Sequence, residues 1–481
     1  MKAGKILLFT GLVIALLMLV SIFFPEEGIP FGDRRLFFPS LEEVMVREKS
    51  RSIDEKMGNL EEKLQMKVRM DSISTARMEA RNDSMLFYTD FLNTHPAKFY
   101  LPENDITFFD SLFLKMNDCR DNNETIHILH YGDSQIEGDR ITGYIRQKFQ
   151  EKFGGNGPGL IPVVQMIPSS SVEQSSSGNL VRYTVAGSHS NKASHKRYGI
   201  MGQTTELKGS GSMTVASRNW SVTYDNVKEF SRIRLFLSHN SADFKATLKL
   251  GNGEPMVQTL AGESSNSRVL IWNLTNPVKQ FSLQFSGSAE LTGVSIDGNQ
   301  GVAVDNIPLR GSSGTFFSDI DPNSVVPVLK ELNVQLIMLE FGGNMMPVIK
   351  GEKNTLDYKE KMAKQIRHFQ SIYPEAKILF IGPADMSKKV NGHLQSYPYL
   401  KETIQRLKES ALENGAAYWD MYEVMGGENS MIEWVQNKPA LGSPDYIHFT
   451  SKGAEKIANL FFESMMIYYD YANFRIFPNI Q

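Results

Sequence analysis

The stretch "IHILHYGDSQIEGDR", residues 126–140, sets the expectation for the fold. Its first six residues form a mostly apolar run that is typical of a short buried strand. The chain then turns through Gly132 and Asp133 to Ser134, which either stands at the end of a sheet or caps the helix that follows. That helix is indicated by apolar side chains at helical spacing, at Ile141, Tyr144, Ile145 and Phe149.

The alternation of strands and helices returns after about residue 300. The runs "NVQLIMLEF" (333–341) and "KILFIGP" (377–383) are typical of buried strands, and an amphipathic helix follows each of them. The last helix begins after Thr450, a residue type that suits an N-cap. Strands that alternate with helices predict a parallel sheet covered on both faces.

A different pattern occupies residues from about 160 to 298. Short runs such as "RIRLFLS", "RVLIW" and "QFSLQFS" are separated by turns rich in Gly, Ser and Asn, which predicts an all-β sandwich or jelly roll. We therefore expect one α/β domain, formed by residues 99–160 and 300–481. The β domain, residues 161–299, is inserted through it.

The N-terminus carries a signal for the membrane. Residues 6–24 are apolar and uncharged, with two lysines before them and two glutamates after them. A helix of about 19 residues is about 28 Å long, enough for the apolar core of a bilayer. The charges predict that the N-terminus stays in the cytoplasm and that the rest is exported. We expect residues 1–30 to be an uncleaved single-pass anchor, with a cleaved signal peptide as the alternative.

Residues 31–98 are expected to form a helical stalk or linker. The segment is rich in Glu, Lys, Arg and Met, and the apolar residues Met57, Leu60, Leu64 and Val68 fall on one helical face. A stalk would hold the folded part away from the membrane. The alternative is a helix that packs against the globular domain.

Composition excludes several classes of function. The 481 residues carry a net charge of −3, which gives no electrostatic reason to expect binding to nucleic acid. The only cysteine, Cys119, excludes a disulfide within the chain and any metal site built from several cysteines.

Polar residues follow the predicted strands where each strand ends. Ser134 follows the first strand, Gly311 follows "GVAVDNIPL", and Asn344 follows the strand "NVQLIMLEF". Asp445 and His448 lie three residues apart, just ahead of the last helix. Because ligands of open α/β sheets bind beyond the carboxyl ends of the strands, we expect these five residues to converge there.

These residue types suit acyl transfer through a serine. A serine hydroxyl becomes a nucleophile when a neutral histidine takes its proton, and a carboxylate fixes the tautomer of that histidine. Amide donors stabilise the oxyanion, each by about 3 kcal/mol. The sequence therefore predicts Ser134, His448 and Asp445 as catalytic residues. The backbone amides of Ser134 and Gly311 and the side chain of Asn344 are the predicted oxyanion donors.

Four motifs, "YGDSQ", "LRGSSG", "FGGN" and "DYIHFTSKGAEKIA", resemble the sequence blocks of the SGNH/GDSL hydrolase superfamily. The resemblance implies a flavodoxin-like three-layer α/β fold and assigns the same roles to the same five residues. The sequence departs from the family in reading GDSQ for GDSL and GGN for GxND. "LRGSSG" also leaves Gly314 as an alternative to Gly311. No G-x-S-x-G elbow is present, which argues against the α/β-hydrolase fold.

The long β insertion resembles a subset of that family, the bacterial cell-envelope O-acetylesterases and O-acetyltransferases with an inserted carbohydrate-binding-like module. This resemblance implies an esterase anchored in the bacterial inner membrane. Its catalytic domain would face the periplasm and remove O-acetyl groups from cell-wall or exported polysaccharide, with no metal or organic cofactor. Aromatic residues of the insert would either stack on sugars or pack in its core: Tyr183, Tyr198, Trp220, Tyr224 and Trp272.

Two other functions fit the same sequence. A sugar hydroxyl in place of water would make the protein a polysaccharide or peptidoglycan O-acetyltransferase, working beside a multispanning membrane O-acyltransferase. A glycan-binding protein on a decayed hydrolase scaffold would have no activity. The presence of all five active-site residue types argues against that decay.

Overall fold

The computed structural model describes residues 77–186 and 192–477, together with isolated positions between 5 and 36. The chain divides into two units, residues 1–56 and residues 57–481.

In the first unit, the described positions between 5 and 20 are helical. Two short strands, β1 (Ile29–Phe31) and β2 (Arg34–Leu36), pair in antiparallel fashion. Most of the predicted anchor at 6–24 lies outside the described residues. Among the residues that are described, no helix is both long enough and apolar enough to cross a bilayer.

The second unit contains a parallel and an antiparallel sheet with helices around them. The strands in chain order are β3 (Phe99–Tyr100), β4 (Thr125–Gly132), β5 (Gly159–Ile161), β6 (Val172–Thr184), β7 (Gln203–Ser217), β8 (Phe230–Lys249), β9 (Met256–Leu260), β10 (Arg268–Val278), β11 (Gln280–Asp297), β12 (Gly301–Pro308), β13 (Val334–Glu340), β14 (Lys377–Ile381), β15 (Ser387–Val390), β16 (His393–Ser396) and β17 (Ala417–Trp419). The helices are α1 (Arg77–Thr94), α2 (Asp110–Asp118), α3 (Thr142–Phe153), α4 (Val326–Glu331), α5 (Glu352–Ile372), α6 (Leu400–Glu413), α7 (Met421–Met425), α8 (Ser430–Gln436) and α9 (Ser451–Ile476).

The predicted parallel sheet is confirmed. Its strands lie in the order β12-β4-β13-β14-β17, and β3 adds an antiparallel edge. Numbered along the chain, the five parallel strands have the doubly wound order 2-1-3-4-5. The strand order reverses beside β4, the strand that precedes Ser134. In sheets of this kind, ligands bind beyond the strand ends at that point.

Helices cover both faces of this sheet. Every residue of β4 and β13 is buried, as expected for strands of a parallel sheet between two helical layers. On one face, Phe149 of α3 packs against Phe462 of α9 with ring centroids 5.3 Å apart. On the other face, Tyr131 of β4 packs against Phe369 of α5 at 5.9 Å.

The C-terminal part of the predicted stalk is helix α1, which packs on the globular domain. The ring of Tyr88 lies 5.1 Å from Tyr471 and 5.8 Å from Phe474, both on α9. The apolar stalk positions named in the sequence analysis, from Met57 to Val68, lie outside the described residues.

The inserted strands form one antiparallel sheet with the order β10-β8-β11-β7-β6, to which β5 and β9 add on β11 and β8. The predicted all-β insert is thus present as one hydrogen-bonded sheet, whose apolar residues form a core of their own. Its strands β8 and β11 are long, with 20 and 18 residues. Because β8 is so long, β10 and β9 pair with successive parts of the same strand.

The aromatic residues of the insert divide between its core and its surface. Trp272 and Tyr198 are each only 4% exposed, so packing explains them. Trp220 is 49% exposed, and the guanidinium of Arg218 lies 3.9 Å from its ring centroid.

A buried polar cluster connects the two sheets. His127 Nδ1, on β4, lies 2.7 Å from Asp305 Oδ2 on β12, and His127 Nε2 lies 3.2 Å from Asp297 Oδ2 on β11. Arg234 on β8 donates to the same Asp297 oxygen at 2.6 Å. Displacing one sheet from the other would separate these charges within a dry interior, so the cluster fixes how the sheets meet.

The turn after Ser134 does not continue into a helix. Gly138 and Asp139 have φ angles of 71° and 68°, which are incompatible with an α-helix. Helix α3 therefore begins only at Thr142, and Ser134 is not its cap.

A buried ion pair holds this turn in place. Arg146 of α3 donates to both carboxylate oxygens of Asp139, at 2.6 and 2.9 Å, and its Nε donates to the carbonyl oxygen of Val304 on β12 at 2.6 Å. Asp139 also accepts a short hydrogen bond from Ser171 Oγ, just before the first long strand of the insert. The turn, the helix, the sheet and the insert thus meet at one bidentate pair.

We expect Arg146→Met to lower the free energy of unfolding by about 3–5 kcal/mol, because it leaves the buried Asp139 carboxylate without its cation. Urea denaturation measures the change. The control is Lys148→Met on the same helix, whose pair with Glu151 is exposed to solvent and is worth roughly 0.5 kcal/mol. Equal losses in the two variants would show that the buried pair has no special role.

Candidate active site

Three residues predicted from the sequence meet beyond the end of β4. Ser134 Oγ lies 2.7 Å from Nε2 of His448, although the two residues are 314 positions apart in the chain. His448 Nδ1 lies 2.7 Å from Oδ2 of Asp445. The order serine, histidine, carboxylate is the one that activates a serine hydroxyl.

The loop that carries the histidine is held by its own hydrogen bonds. Asp445 Oδ1 accepts from the backbone N–H groups of Ile447 and His448, each at 3.0 Å. The carbonyl oxygen of His448 accepts from the N–H of Ser443 at 2.7 Å. Thr450 then caps α9 as predicted, with Oγ1 accepting from the third residue of the helix. The imidazole is therefore presented from a tight, internally bonded turn.

The carboxylate beside the histidine is ionised and partly exposed. Partial burial acts to raise the pKa of Asp445, but the hydrogen bonds from the side chain and backbone of His448 outweigh it and hold the pKa below its usual range. The side chains of Asp445 and His448 are 48% and 30% exposed. Water therefore reaches the histidine directly.

Asp133 connects two loops from beneath the serine. Its Oδ1 accepts from the backbone N–H of Gln135 at 2.9 Å, and its Oδ2 accepts from Nδ2 of Asn344 at 2.8 Å. Burial raises the pKa of Asp133 to about 7, and the nearby charge of Glu340 adds to the shift. Asp133 was not among the residues predicted for the site, and its place in the Gly-Asp-Ser turn is the one feature of the sequence that points to it.

Two glycines are candidates for the oxyanion donor, and their N–H groups differ in what they contact. The Gly314 N–H donates to Ser312 Oγ at 3.0 Å, and a Cβ at Gly314 would lie 2.6 Å from the ring of Phe341. Gly311 has a φ of 73°, and its N–H has no acceptor among the described residues. The amide of Gly311 is thus available to a ligand, whereas that of Gly314 is already engaged.

A small cavity of about 150 Å³ adjoins the serine. It is bounded by Ser134, Asn344 and His448 on its polar side. Gly311 is not part of this wall and instead lines a larger, neighbouring cavity. The apolar side of the small cavity is formed by Phe341, Pro347, Pro383, Ala384, Met386 and Ile447.

Gln135, which stands where the family motif has leucine, contacts the histidine loop on both sides of His448. Its Nε2 donates to the carbonyl oxygen of Ile447 at 2.8 Å, and its Oε1 accepts from the N–H of Phe449 at 3.3 Å. A leucine has no group that could make either bond. This contact was not predicted. The glutamine at a position where the family motif has leucine is the feature of the sequence that indicates it.

Arg140 adds a second link between the same loops. Its Nη2 donates to the carbonyl oxygen of Ser134, and its Nη1 donates to the carbonyl oxygen of Phe449 at 3.4 Å. The serine turn and the histidine loop are therefore joined by two side chains that do not contact the Ser134 hydroxyl.

The histidines of β4 are separate from this site. His127 and His130 are fully buried, as expected for residues of a central strand. His130 Nε2 lies 3.0 Å from Glu340 Oε2, and its Nδ1 lies 2.9 Å from Thr142 Oγ1. Within the described part of the chain, no three His, Cys, Asp or Glu side chains are grouped so that they could hold a metal ion.

Comparison with known proteins gives structural matches only. No protein-family model matches the sequence, and no curated protein matches it. A solved structure described as "Peptidoglycan O-acetylesterase in action, 5 min" superposes with a TM-score of 0.60 at 20% identity, over 76% of this chain and 96% of its own length.

Two other solved structures align more weakly. A carbohydrate esterase family 2 enzyme with a carbohydrate-binding domain, from Corynascus thermopiles (Myceliophthora fergusii), has a TM-score of 0.26 and 11% identity, over 60% of this chain and 99% of that one. Est24, a carbohydrate acetylesterase from Sinorhizobium meliloti, has a TM-score of 0.25 and 12% identity, over 34% of this chain and 78% of its own length. The first of these three structures shares the fold of this chain, which agrees with the fold that the predicted resemblance implies.

Proposed function

We propose that this protein is a membrane-anchored serine esterase that removes O-acetyl groups from cell-wall or exported polysaccharide. The observation that carries the proposal is the pair of 2.7 Å contacts from Ser134 to His448 and from His448 to Asp445. The fold shared with a peptidoglycan O-acetylesterase supports the class of substrate. The anchor in the bacterial inner membrane, with the catalytic domain in the periplasm, is proposed from residues 6–24 alone.

In the proposed reaction, His448 acts first as a base and then as an acid. Asp445 holds the tautomer with a proton on Nδ1, so that Nε2 can accept the proton of the serine hydroxyl. Ser134 Oγ then bonds to the ester carbonyl carbon, and the bond from that carbon to the sugar oxygen breaks. The sugar oxygen takes the proton from Nε2. Water repeats the sequence on the acyl-enzyme and releases acetate.

The oxyanion would be met by the amides of Ser134 and Gly311 and by the side chain of Asn344. Donors of this kind contribute about 3 kcal/mol each when they are aimed at the developing charge. Asn344 Nδ2 donates both of its hydrogens, to Asp133 at 2.8 Å and to the carbonyl oxygen of Ser312 at 3.1 Å. We infer that the oxyanion replaces the longer of these two bonds.

The exposure of the site favours hydrolysis over transfer. An O-acetyltransferase must keep water from the acyl-enzyme until a sugar hydroxyl arrives. His448 is 30% exposed and Asp445 is 48% exposed, which supports water as the acceptor. The hydrogen-bonded arrangement of all three residues supports an active enzyme over a decayed glycan-binding scaffold.

Replacing the serine tests the mechanism directly. We expect Ser134→Ala to lower kcat on p-nitrophenyl acetate by at least roughly 10⁴-fold, because the acyl-enzyme cannot form. Its urea denaturation curve should match that of the wild type. Ser371→Ala, at the exposed end of α5, is the matched control and should keep full activity. A Ser134→Ala protein with wild-type activity would rule out the mechanism.

The small cavity beside Ser134 predicts a preference for short acyl groups. Its 150 Å³ is below the 300–1,000 Å³ of sites that enclose larger ligands, so a long chain would have to displace packed side chains. We expect kcat/KM to fall by roughly 100-fold or more from p-nitrophenyl acetate to p-nitrophenyl octanoate. Met386→Ala should reduce that ratio by enlarging the cavity. Equal kcat/KM values for the two esters would show that the small cavity does not bind the acyl group.

Gln135 is expected to be a positioning residue that acts through His448. Gln135→Leu removes two hydrogen bonds, each worth about 1 kcal/mol, so kcat should fall roughly tenfold or more. Gln135 also lines the small cavity, but leucine is close to glutamine in size, so the cavity should keep its shape and KM should change little. Gln135→Glu retains the acceptor for Phe449 and should restore part of kcat. If Gln135→Leu instead raised KM at constant kcat, the residue would bind substrate rather than position the base.

A further inference from the structure

A second, larger cavity lies on the other side of the serine turn. Its volume is about 480 Å³, within the range of sites that enclose a small ligand. Glu137 and Gly138 of the serine turn, together with Arg310 and Gly311 after β12, form one wall. The opposite wall comes from strands β6 and β7 of the insert. The turn that carries Ser134 thus contributes to both cavities, with Ser134 on the small one and Glu137 and Gly138 on the large one.

The wall on the insert carries an arginine that has no acidic partner among the described residues. Arg182 on β6 is half-buried, and its Nε donates to the neutral side chain of Gln203 at 2.6 Å. No carboxylate of the described residues lies within ion-pair distance of its guanidinium. Burial lowers the pKa of Arg182, and no nearby charge opposes that shift. A guanidinium nevertheless stays charged, so Arg182 is a partly desolvated cation that an anion would stabilise.

The other arginines of the cavity are already paired. Arg146 makes the bidentate contact with Asp139, and Arg310 Nη1 lies 3.6 Å from Glu137 Oε2. Arg182 is therefore the one arginine among the described lining residues that lacks an acidic partner. An anionic group that enters the cavity would meet it without displacing an existing ion pair.

The same cavity offers an acceptor for hydroxyl groups and an apolar floor. Glu137 Oε1 is buried and has no hydrogen-bond partner among the described residues. A carboxylate oxygen in that condition suits the O–H of a sugar. Leu160, Ile161 and Met201 line the floor and can pack against the C–H face of a sugar ring.

We propose that this cavity binds the carbohydrate part of the ester, and that the carbohydrate is an acidic glycan whose carboxylate pairs with Arg182. The inference rests on the proposed function, because Gly311, the proposed oxyanion donor, is part of the cavity wall. Under this proposal, the two parts of the substrate occupy different cavities. The acyl group enters the small cavity beside Ser134, and the sugar occupies the large one.

The test compares two trisaccharides that differ only in their carboxylates, α-1,4-linked trigalacturonic acid and α-1,4-linked galactotriose. Binding is measured by isothermal titration calorimetry with the full chain carrying Ser134→Ala. We expect the acidic trisaccharide to bind at least roughly tenfold more tightly than the neutral one. Its affinity should fall as ionic strength rises, whereas that of the neutral trisaccharide should not.

Variants of two arginines complete the experiment. Arg182→Gln should remove the preference for the acid, and Arg182→Lys should keep part of it. Arg268→Gln, which removes an exposed arginine of the insert that does not line the cavity, should change nothing. Equal affinity for the two trisaccharides, or an undiminished preference in a folded Arg182→Gln protein, would overturn the proposal. If Arg182→Gln does not fold, the ionic-strength series and Arg182→Lys still decide the question.

Hydrolysis and glycan binding are measured independently, so a failure of the proposed function can be told apart from a failure of the binding proposal. A wild-type protein that releases no acetate from p-nitrophenyl acetate is not an esterase, but the binding comparison does not depend on turnover. A preference for the acid that depends on Arg182, without hydrolysis, would leave the cavity as an acidic-glycan site on an inactive scaffold.

Discussion

The buried pair between Arg146 and Asp139 is the interaction on which the rest of the site depends. Its carboxylate belongs to a turn after β4 with two positive φ angles, and the two hydrogen bonds from Arg146 hold that turn against helix α3. That turn presents Ser134 at the edge of the sheet and leaves Glu137 and Gly138 on the wall of the large cavity. Because the same carboxylate accepts from Ser171, the position of the insert is linked to the position of the serine.

Much of the α/β domain could be predicted from local patterns. Strands such as β4 and β13 are buried on both faces, so the sequence shows them as mostly apolar runs rather than as alternating apolar and polar residues. Once those strands are assigned to a parallel sheet, the residues that follow them must gather at one edge. Ser134, Asn344 and His448 could therefore be predicted as neighbours without any knowledge of the packing between them.

The remaining features depend on contacts that no local pattern encodes. Periodicity identified the short runs of the insert, but it did not reveal that β8 is long enough to pair with two strands in succession. The choice between Gly311 and Gly314 depends on a hydrogen bond to Ser312 Oγ. Gln135 acts across 314 positions of sequence, on a loop that only the folded chain brings near.

The insertion also affects the order in which parts of the chain can pair during synthesis. Thr125 on β4 pairs with Gly301 on β12, so the ribosome must release the whole insert before the first two neighbours of the central sheet can meet. The segment with Asp445 and His448 emerges later still, after the insert and the next strands of the sheet. Until that segment has been made, the nascent polypeptide carries a serine without its base. The chain can therefore become reactive only after the parts of its central sheet are available.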